Sequence, residues 1–562
     1  MIGFMGGTNG FQQGNYEQVN DRNHFPGIYA QDSWKINHRL TVNYGVRWED
    51  FAPWAEKNSA EQEFIPANYV ALKSTPQFST LPAGMMLDGD PGIPKYGLNN
   101  NYKQFMPRVG FAYDVWGTGK LVVRGGGGIF YQDRMPGFFN LSQASFVPNT
   151  VFVGLTNPAM YAATPGTNTG GPFSDPYCAT TAFCSAGKVT NPFPFTLPFA
   201  SNHVFPNGVT LVEYDPSGNF KVPVTYDYNL TIEHQLASSL AMRLAYVGSG
   251  SRHQFVNLEI NPTVNTGSFT GTNGAWVASS VPANGRRPYN TAPTVGPCTT
   301  TTGCAQNYAQ MVEAAMIGSA RFNSLQVSLE KKMSHGVSML ANYTWSKTYD
   351  DMPQATRVGN TQDLNAGESY VYPLYPAGAV NMPAGSSVTD IKALDRGLSD
   401  IDKPHAISVS YVYQLPRLRN GNSILKYAAN GWRTSGLIQH HSGDALTTYV
   451  GGTDTSLTGL GQERAVRDFT KPAYYSQGGT GDCAAGKKCV NWLNAAAFTL
   501  PVNTGPGTGF GNVVKGSLRG PGQTVWHGAV TRSFRVGGER SVQFRAEYFN
   551  LLNHTLQEPG RQ

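Results

Sequence analysis

The sequence predicts an all-β protein: an antiparallel up-and-down sheet that crosses a membrane as the wall of a β-barrel. Three observations carry that expectation. About twelve segments alternate apolar and polar residues, their connections alternate between short and long, and the composition is poor in charge but rich in glycine and aromatics. Among 562 residues there are 64 Gly, 28 Tyr, 29 Phe and 9 Trp, and only 14% are charged. An ordinary soluble domain carries roughly 25% charge, so the balance argues against both disorder and a charge-solvated helical protein. The net charge of +6 is spread thinly and contains no Lys/Arg run, which excludes a nucleic-acid footprint.

No stretch reaches the ~18 consecutive apolar residues of a membrane-spanning helix, a test to which barrel strands are blind. The opening MIGFMGGTNGFQQGN has no basic region followed by an apolar one, so the expectation is either a cytoplasmic protein or a fragment, and the cysteines below favour the fragment.

The first strand pair is expected near 28–35 and 40–50. In LTVNYGVRWE (40–49), Leu40, Val42, Tyr44, Val46 and Trp48 take one side, and Thr41, Asn43, Arg47 and Glu49 the other. The apolar side should face lipid, with Trp48 toward an outer aromatic girdle, and the polar side should form a candidate lumen wall. Further pairs are expected near 107–116 and 120–131, 224–235 and 239–249, 321–333 and 336–347, 404–416 and 431–442, and 523–535 and 541–548. The alternation is cleanest in VTYDYNLTIEHQ (224–235) and in SVQFRAEY (541–548), where Arg545 and Glu547 join the candidate lumen wall. About 11 residues at ~3.3 Å, tilted by ~40°, reach ~28 Å, close to the ~25 Å apolar band of outer-membrane barrels. Trp34, Trp48, Trp116, Tyr131, Tyr246, Trp345 and Trp432 gather toward strand ends, where a headgroup girdle wants amphipathic rings.

Within pairs the links are short, as in INHR (36–39) and SHG (334–336), with one longer exception, RLRNGNSILKYAAN (417–430). Between pairs lie long Gly-, Pro-, Asn-, Ser- and Thr-rich segments at about 51–106, 132–222, 250–320, 348–403 and 443–520. Such lengths are foreign to compact soluble domains but habitual on the extracellular side of barrels. All six cysteines fall there with one spacing, Cys178–Cys184, Cys298–Cys304 and Cys483–Cys489. The repeated C-x5-C predicts three local disulfides and an oxidising compartment, with unrelated thiols as the alternative that spacing leaves open.

Catalytic and metal motifs are weak. Gly125–Gly128 lacks the helix that a phosphate cradle needs and reads as a strand crowded by a neighbouring backbone. Adjacent His440 and His441 point to opposite faces of a strand, which disfavours joint metal coordination. Asp350, Asp351, Asp395, Asp400 and Asp402 form no EF-hand loop and read as solvated loop residues. The sequon Asn229–Thr231 lies inside a strand. No nucleophile–base arrangement stands out, so an enzyme is not expected and no cofactor is implied.

Several stretches together resemble one family: IYAQDSWKINHRLTVNYGVRWE (28–49), NSLQVSLEKKMSHGVSMLANYTWSKTYDD (323–351), DRGLSDIDKPHAISVSYVYQLP (395–416), NGWRTSGLIQHHSGDALT (430–447) and RGPGQTVWHGAVTRSF…FRAEYFNLLNH (519–554). They are similar to the barrel of TonB-dependent outer-membrane receptors, most of all the Oar-like group. The resemblance implies a barrel of about 22 strands around a plug, of which 1–562 would supply a partial barrel domain of about twelve. The signal peptide, TonB box, plug, carboxypeptidase-regulatory-like N-terminal domain and last strand would lie outside it. It also implies a Gram-negative outer membrane, contact with its lipid, coupling to a TonB complex, and uptake of a siderophore, oligosaccharide or peptide. A passive porin and a soluble β-rich binding protein or adhesin are the competing expectations.

Overall fold

The computed structural model describes most of residues 10–553; residues 1–9, 133–145, 157–192, 290–307, 352–369, 372–395, 482–488, 504–510 and 554–562, together with shorter stretches, lie outside the description. Twelve strands form one meandering sheet. They are β1 (Gly27–Lys35), β2 (Leu40–Glu49), β3 (Phe105–Asp114), β4 (Leu121–Tyr131), β5 (Val224–Ala237) and β6 (Leu240–Glu259). The remainder are β7 (Tyr308–Ser334), β8 (Val337–Asp350), β9 (His405–Gln414), β10 (Trp432–His441), β11 (Gln523–Gly537) and β12 (Arg540–Tyr548). Each pairs antiparallel with its sequence neighbours from β1 to β12, and among the described residues no pairing joins those two edges. All twelve expected strands are present.

The turns are built where the sequence supplies turn chemistry. His335 and Gly336 both have positive φ, 50° and 78°, as a two-residue type I′ hairpin requires. Asp114 closes the β3–β4 turn by accepting from the backbone N–H of Gly117 and Gly119 at 2.9 and 2.8 Å. Asn37 does the same for β1–β2, accepting from the N–H of Arg39 and Leu40. The longer link between β9 and β10 contains a short helix, which its residues did not lead one to expect.

The apolar face of the sheet breaks the rule for soluble proteins, because it lies uncovered. Tyr226, Tyr228, Leu230 and Ile232 of β5 are 41, 40, 48 and 38% exposed, and on the other face Asp227 and Asn229 are exposed as well while Thr231 is buried. Val46, Val109, Trp345, Ile407 and Phe544 are likewise exposed on other strands. A soluble sheet would cover such rows; hydrocarbon leaves them uncovered without penalty. Along this face, aromatic rings stand directly opposite glycines: Phe111 to Gly125, Tyr228 to Gly248, Tyr411 to Gly436 and Tyr548 to Gly528. Each ring occupies the space a Cβ would take. The crowding expected at Gly125–Gly128 is therefore real, and comes from neighbouring side chains as well as backbone.

Two strands exceed the expected length of about eleven residues. β6 has 20 and β7 has 27. The pairing of β6 with β5 ends at Arg252, and β7 pairs with β8 only from Ala320 onward. Their outer parts continue as a ribbon beyond the wall and enter a cap built from the long segments. There the chief apolar core of the described residues is found: Phe64, Leu81, Met85 and Leu87 from one segment, Val151, Phe205, Val209 and Leu211 from the next, and Tyr308 and Met311 from β7. The strand Val209–Tyr214 joins β7 in parallel, an exception to the antiparallel meander. Each such side chain, fully buried, contributes roughly 1.5–3 kcal/mol. The described parts of segments 51–106 and 132–222 thus form, with the outer part of β7, a folded layer with its own core.

Candidate functional site

The polar face can be followed across the whole sheet by register, because directly opposed residues project to the same side. Asn43 opposes Gly110, Gly110 opposes Gly126, and Gly126 opposes Asn229. Asn229 opposes Val247, Val247 opposes Ser324, and Ser324 opposes Ser346. The same face continues through Asn342 and Ser408, Gln439 and Val525, to Thr531 opposite Arg545 and Ala529 opposite Glu547. Thr41, Asn43, Arg47, Glu49, Arg545 and Glu547 therefore share one face, as the alternation anticipated. They do not form one cluster, since β2 and β12 lie near opposite edges of the sheet. Arg47 pairs with Glu49, Arg545 with Glu547, and Arg124 with Glu233 at 3.2 Å, all three with part-exposed side chains. Charges set two apart on one strand, or diagonal on neighbouring strands, hold each other while still meeting water.

At the outer end of β8 the acidic residues read as solvated prove to be structural. Asp350, Asp351 and Asp402 are buried. Asp350 pairs with Lys515, and Asp402 pairs with Arg519 at 2.6 Å while accepting from the Thr348 N–H at 2.7 Å. Asp351 accepts from the Ser319 hydroxyl at 2.6 Å. Arg519 also donates to the carbonyls of Asp402 and Gly443. These bonds fasten segment 443–520 to the rim of the wall. The solvated-loop expectation is corrected, because the Lys515 and Arg519 partners stand more than a hundred residues away; Asp400 is half-buried and Asp395 lies outside the described residues.

A second buried network sits in the cap. Glu259, past the point where β6 leaves the wall, accepts from the N–H of Asn261 and Met311 at 2.9 and 3.0 Å and lies 3.4 Å from Arg287. Burial outweighs these partners and pushes its carboxyl up to about 7. Tyr308, wholly buried beside Glu213, is raised well above an ordinary phenol by the same cause. Neither network was found from sequence. Their only signal is scarcity: where charge is this rare, a lone Lys515 or Glu259 between small and apolar residues is worth attention.

His440 and His441 face opposite sides, bonded to the Thr524 hydroxyl and the Ser442 carbonyl, and no three-residue metal cluster occurs among the described residues. Asn229 lies within β5. Of the cysteines, only the backbone of Cys489, in the strand Cys489–Leu493, is described, so the three expected disulfides lie outside the described residues.

The profile of the outer membrane beta barrel domain family matches residues 3–561. No curated protein matches the sequence. Among solved structures, the chain is similar to the outer membrane transporter YddB from Escherichia coli, at 8% identity and a TM-score of 0.39, over 94% of this chain and 42% of that one. It is also similar to the ferripyoverdine receptor of the outer membrane of Pseudomonas aeruginosa, at 9% identity and a TM-score of 0.36, over 95% and 35%. A third is the siderophore receptor PirA from Acinetobacter baumannii, at 9% identity and a TM-score of 0.34, over 94% and 41%. The chain thus spans 35–42% of the length of these proteins. An uncovered apolar face, a continuous polar face, one-sided long segments and a profile match over nearly every residue agree: the chain belongs to the outer membrane beta barrel domain family and resides in the outer membrane of a Gram-negative bacterium.

Proposed function

We propose that residues 1–562 form part of the barrel of a TonB-dependent receptor, supplying transport wall and outer capture surface for energy-coupled uptake of a large or scarce substrate. The observation that carries this reading is the cap. A porin needs an open mouth, whereas here the outer ends of β6 and β7 enter a packed layer with its own core. A folded roof suits a protein that first captures its substrate and then admits it. Thr41, Asn43, Arg47 and Glu49 on β2, with Arg545 and Glu547 on β12, line the passage, where paired charges and amides offer hydrogen bonds to a polar solute. The TonB complex engages parts of the whole protein other than this wall, and the three cysteine pairs close as disulfides in the oxidising periplasm. The substrate belongs to the siderophore, oligosaccharide or peptide classes by the resemblance of the strand motifs.

The test uses the full-length protein. Accumulation of substrates from a siderophore, oligosaccharide and peptide screen should require a functional TonB complex, and the purified protein should leave a planar bilayer non-conducting. Large spontaneous conductance together with TonB-independent accumulation would identify a passive pore instead.

A further inference from the structure

One connection at the short-turn, periplasmic end differs from the others. Residues 415–431, LPRLRNGNSILKYAANG, contain Arg417, Arg419 and Lys426 and no acidic residue. The cap contains a short helix, α1 (Pro66–Val70), and this link holds another, α2 (Ser423–Ala429). Asn422 caps α2, accepting from the Leu425 N–H at 2.7 Å.

α2 folds back onto the wall. The Trp432 indole donates to the Ala428 carbonyl at 2.9 Å, and the ring of Tyr427 meets that of Phe534 at 6.0 Å. Arg532 also donates to the Ala428 carbonyl, and its guanidinium lies 5.3, 5.4 and 4.3 Å from the ring centres of Tyr427, Trp432 and Phe534. Register fixes the side on which this happens. Trp432 opposes Arg532, Arg532 opposes Phe544, and the row continues through Val530 and Gly528 to Trp526. This is the apolar, membrane-facing row. The helix therefore lies outside the wall at its periplasmic rim, where it shields an arginine that would otherwise face lipid.

What α2 leaves uncovered is apolar and basic. Ile424, Tyr427 and Leu425 are 80, 63 and 51% exposed, Leu418 is 40% exposed, and Arg417 and Arg419 are exposed beside them. In water this would be a costly surface; at a headgroup boundary it is the stable arrangement, with apolar bodies dipping into the acyl layer and cations at the phosphates. We propose that residues 415–431 form an interfacial collar that binds anionic phospholipid of the periplasmic leaflet through Arg417, Arg419 and Lys426. Two observations favour lipid over a protein partner. The collar is continuous with the lipid-facing row, and three positive charges with no acid complement an anionic headgroup.

The test uses the full-length protein in vesicles of phosphatidylcholine with and without phosphatidylglycerol. Native mass spectrometry of the extracted protein should show phosphatidylglycerol retained over phosphatidylcholine, with retention falling roughly tenfold or more in the R417Q/R419Q/K426Q variant. R124Q, on the polar face, should retain lipid as the parent does. Independently, a fluorophore on Ile424→Cys should be quenched by brominated lipid and protected from aqueous iodide. Undiminished retention in the triple variant, or iodide quenching at position 424, would overturn the proposal. So would a periplasmic protein that copurifies with the parent and is lost from the variant without any change in lipid.

Discussion

At single positions, the buried charges tie distant segments of this protein to one another. Asp350 and Lys515 stand 165 residues apart in sequence and only 8 and 4% of their side chains is exposed. Removing one partner strands a buried charge, a loss of roughly 3–5 kcal/mol. Lys515→Met is thus expected to free segment 443–520 from the rim, seen as new protease cleavage there while the wall stays folded; an unchanged digestion pattern would refute the role of the pair. Glu259 gives a pH signature. Its carboxyl keeps its proton up to about 7 in the folded cap but releases it near 4.5 when the cap opens. Between those values the folded state binds more protons, so cap stability is highest below 4.5, falls as pH rises toward 7, and is level above. Hydrogen exchange at Asn261 and Met311, corrected for intrinsic rate, should be slower at pH 5 than at pH 8, and E259Q should flatten the difference. None of these partnerships was legible beforehand, because alternation reports which face a residue takes and says nothing about a partner on a distant segment.

Strands are the scale at which the sequence was most readable. A period of two, an obligatory turn residue and the need to present one uncovered face constrain each wall strand locally, so all twelve could be placed from their own residues. Legibility ended where constraint becomes non-local. The outer halves of β6 and β7 are strands because they pair with each other, and the strand Val209–Tyr214 because it lies along β7. Met85, Leu211 and Met311 looked like stray apolar residues in long segments until packed together. α2 was missed because seven residues give too little helical periodicity to register. The wall strands also make a sharp prediction. Leu230→Arg, on the uncovered row of β5, should destabilise the inserted protein by roughly 2–4 kcal/mol, whereas Asn229→Arg on the next residue should cost little. Urea titration in vesicles would decide it, and equal losses at both positions would contradict the assignment of faces.

For the whole molecule, the division is between a wall without an apolar interior and a cap that has one. The wall is stabilised by strand pairing and by its solvent, hydrocarbon on one side and a polar surface on the other. The cap obeys the ordinary rules of a water-soluble core. Spin labels report whether the apolar row meets lipid. In a background with the native cysteines replaced, labels would be introduced singly at residues 226 to 233 of β5 in the membrane-inserted protein. Labels at Tyr226, Tyr228, Leu230 and Ile232 should collide with oxygen and be shielded from an aqueous nickel chelate. Those at Asp227, Asn229 and Glu233 should show the reverse. A uniform response to the chelate along the strand, or the opposite phase, would mean that this row does not meet lipid.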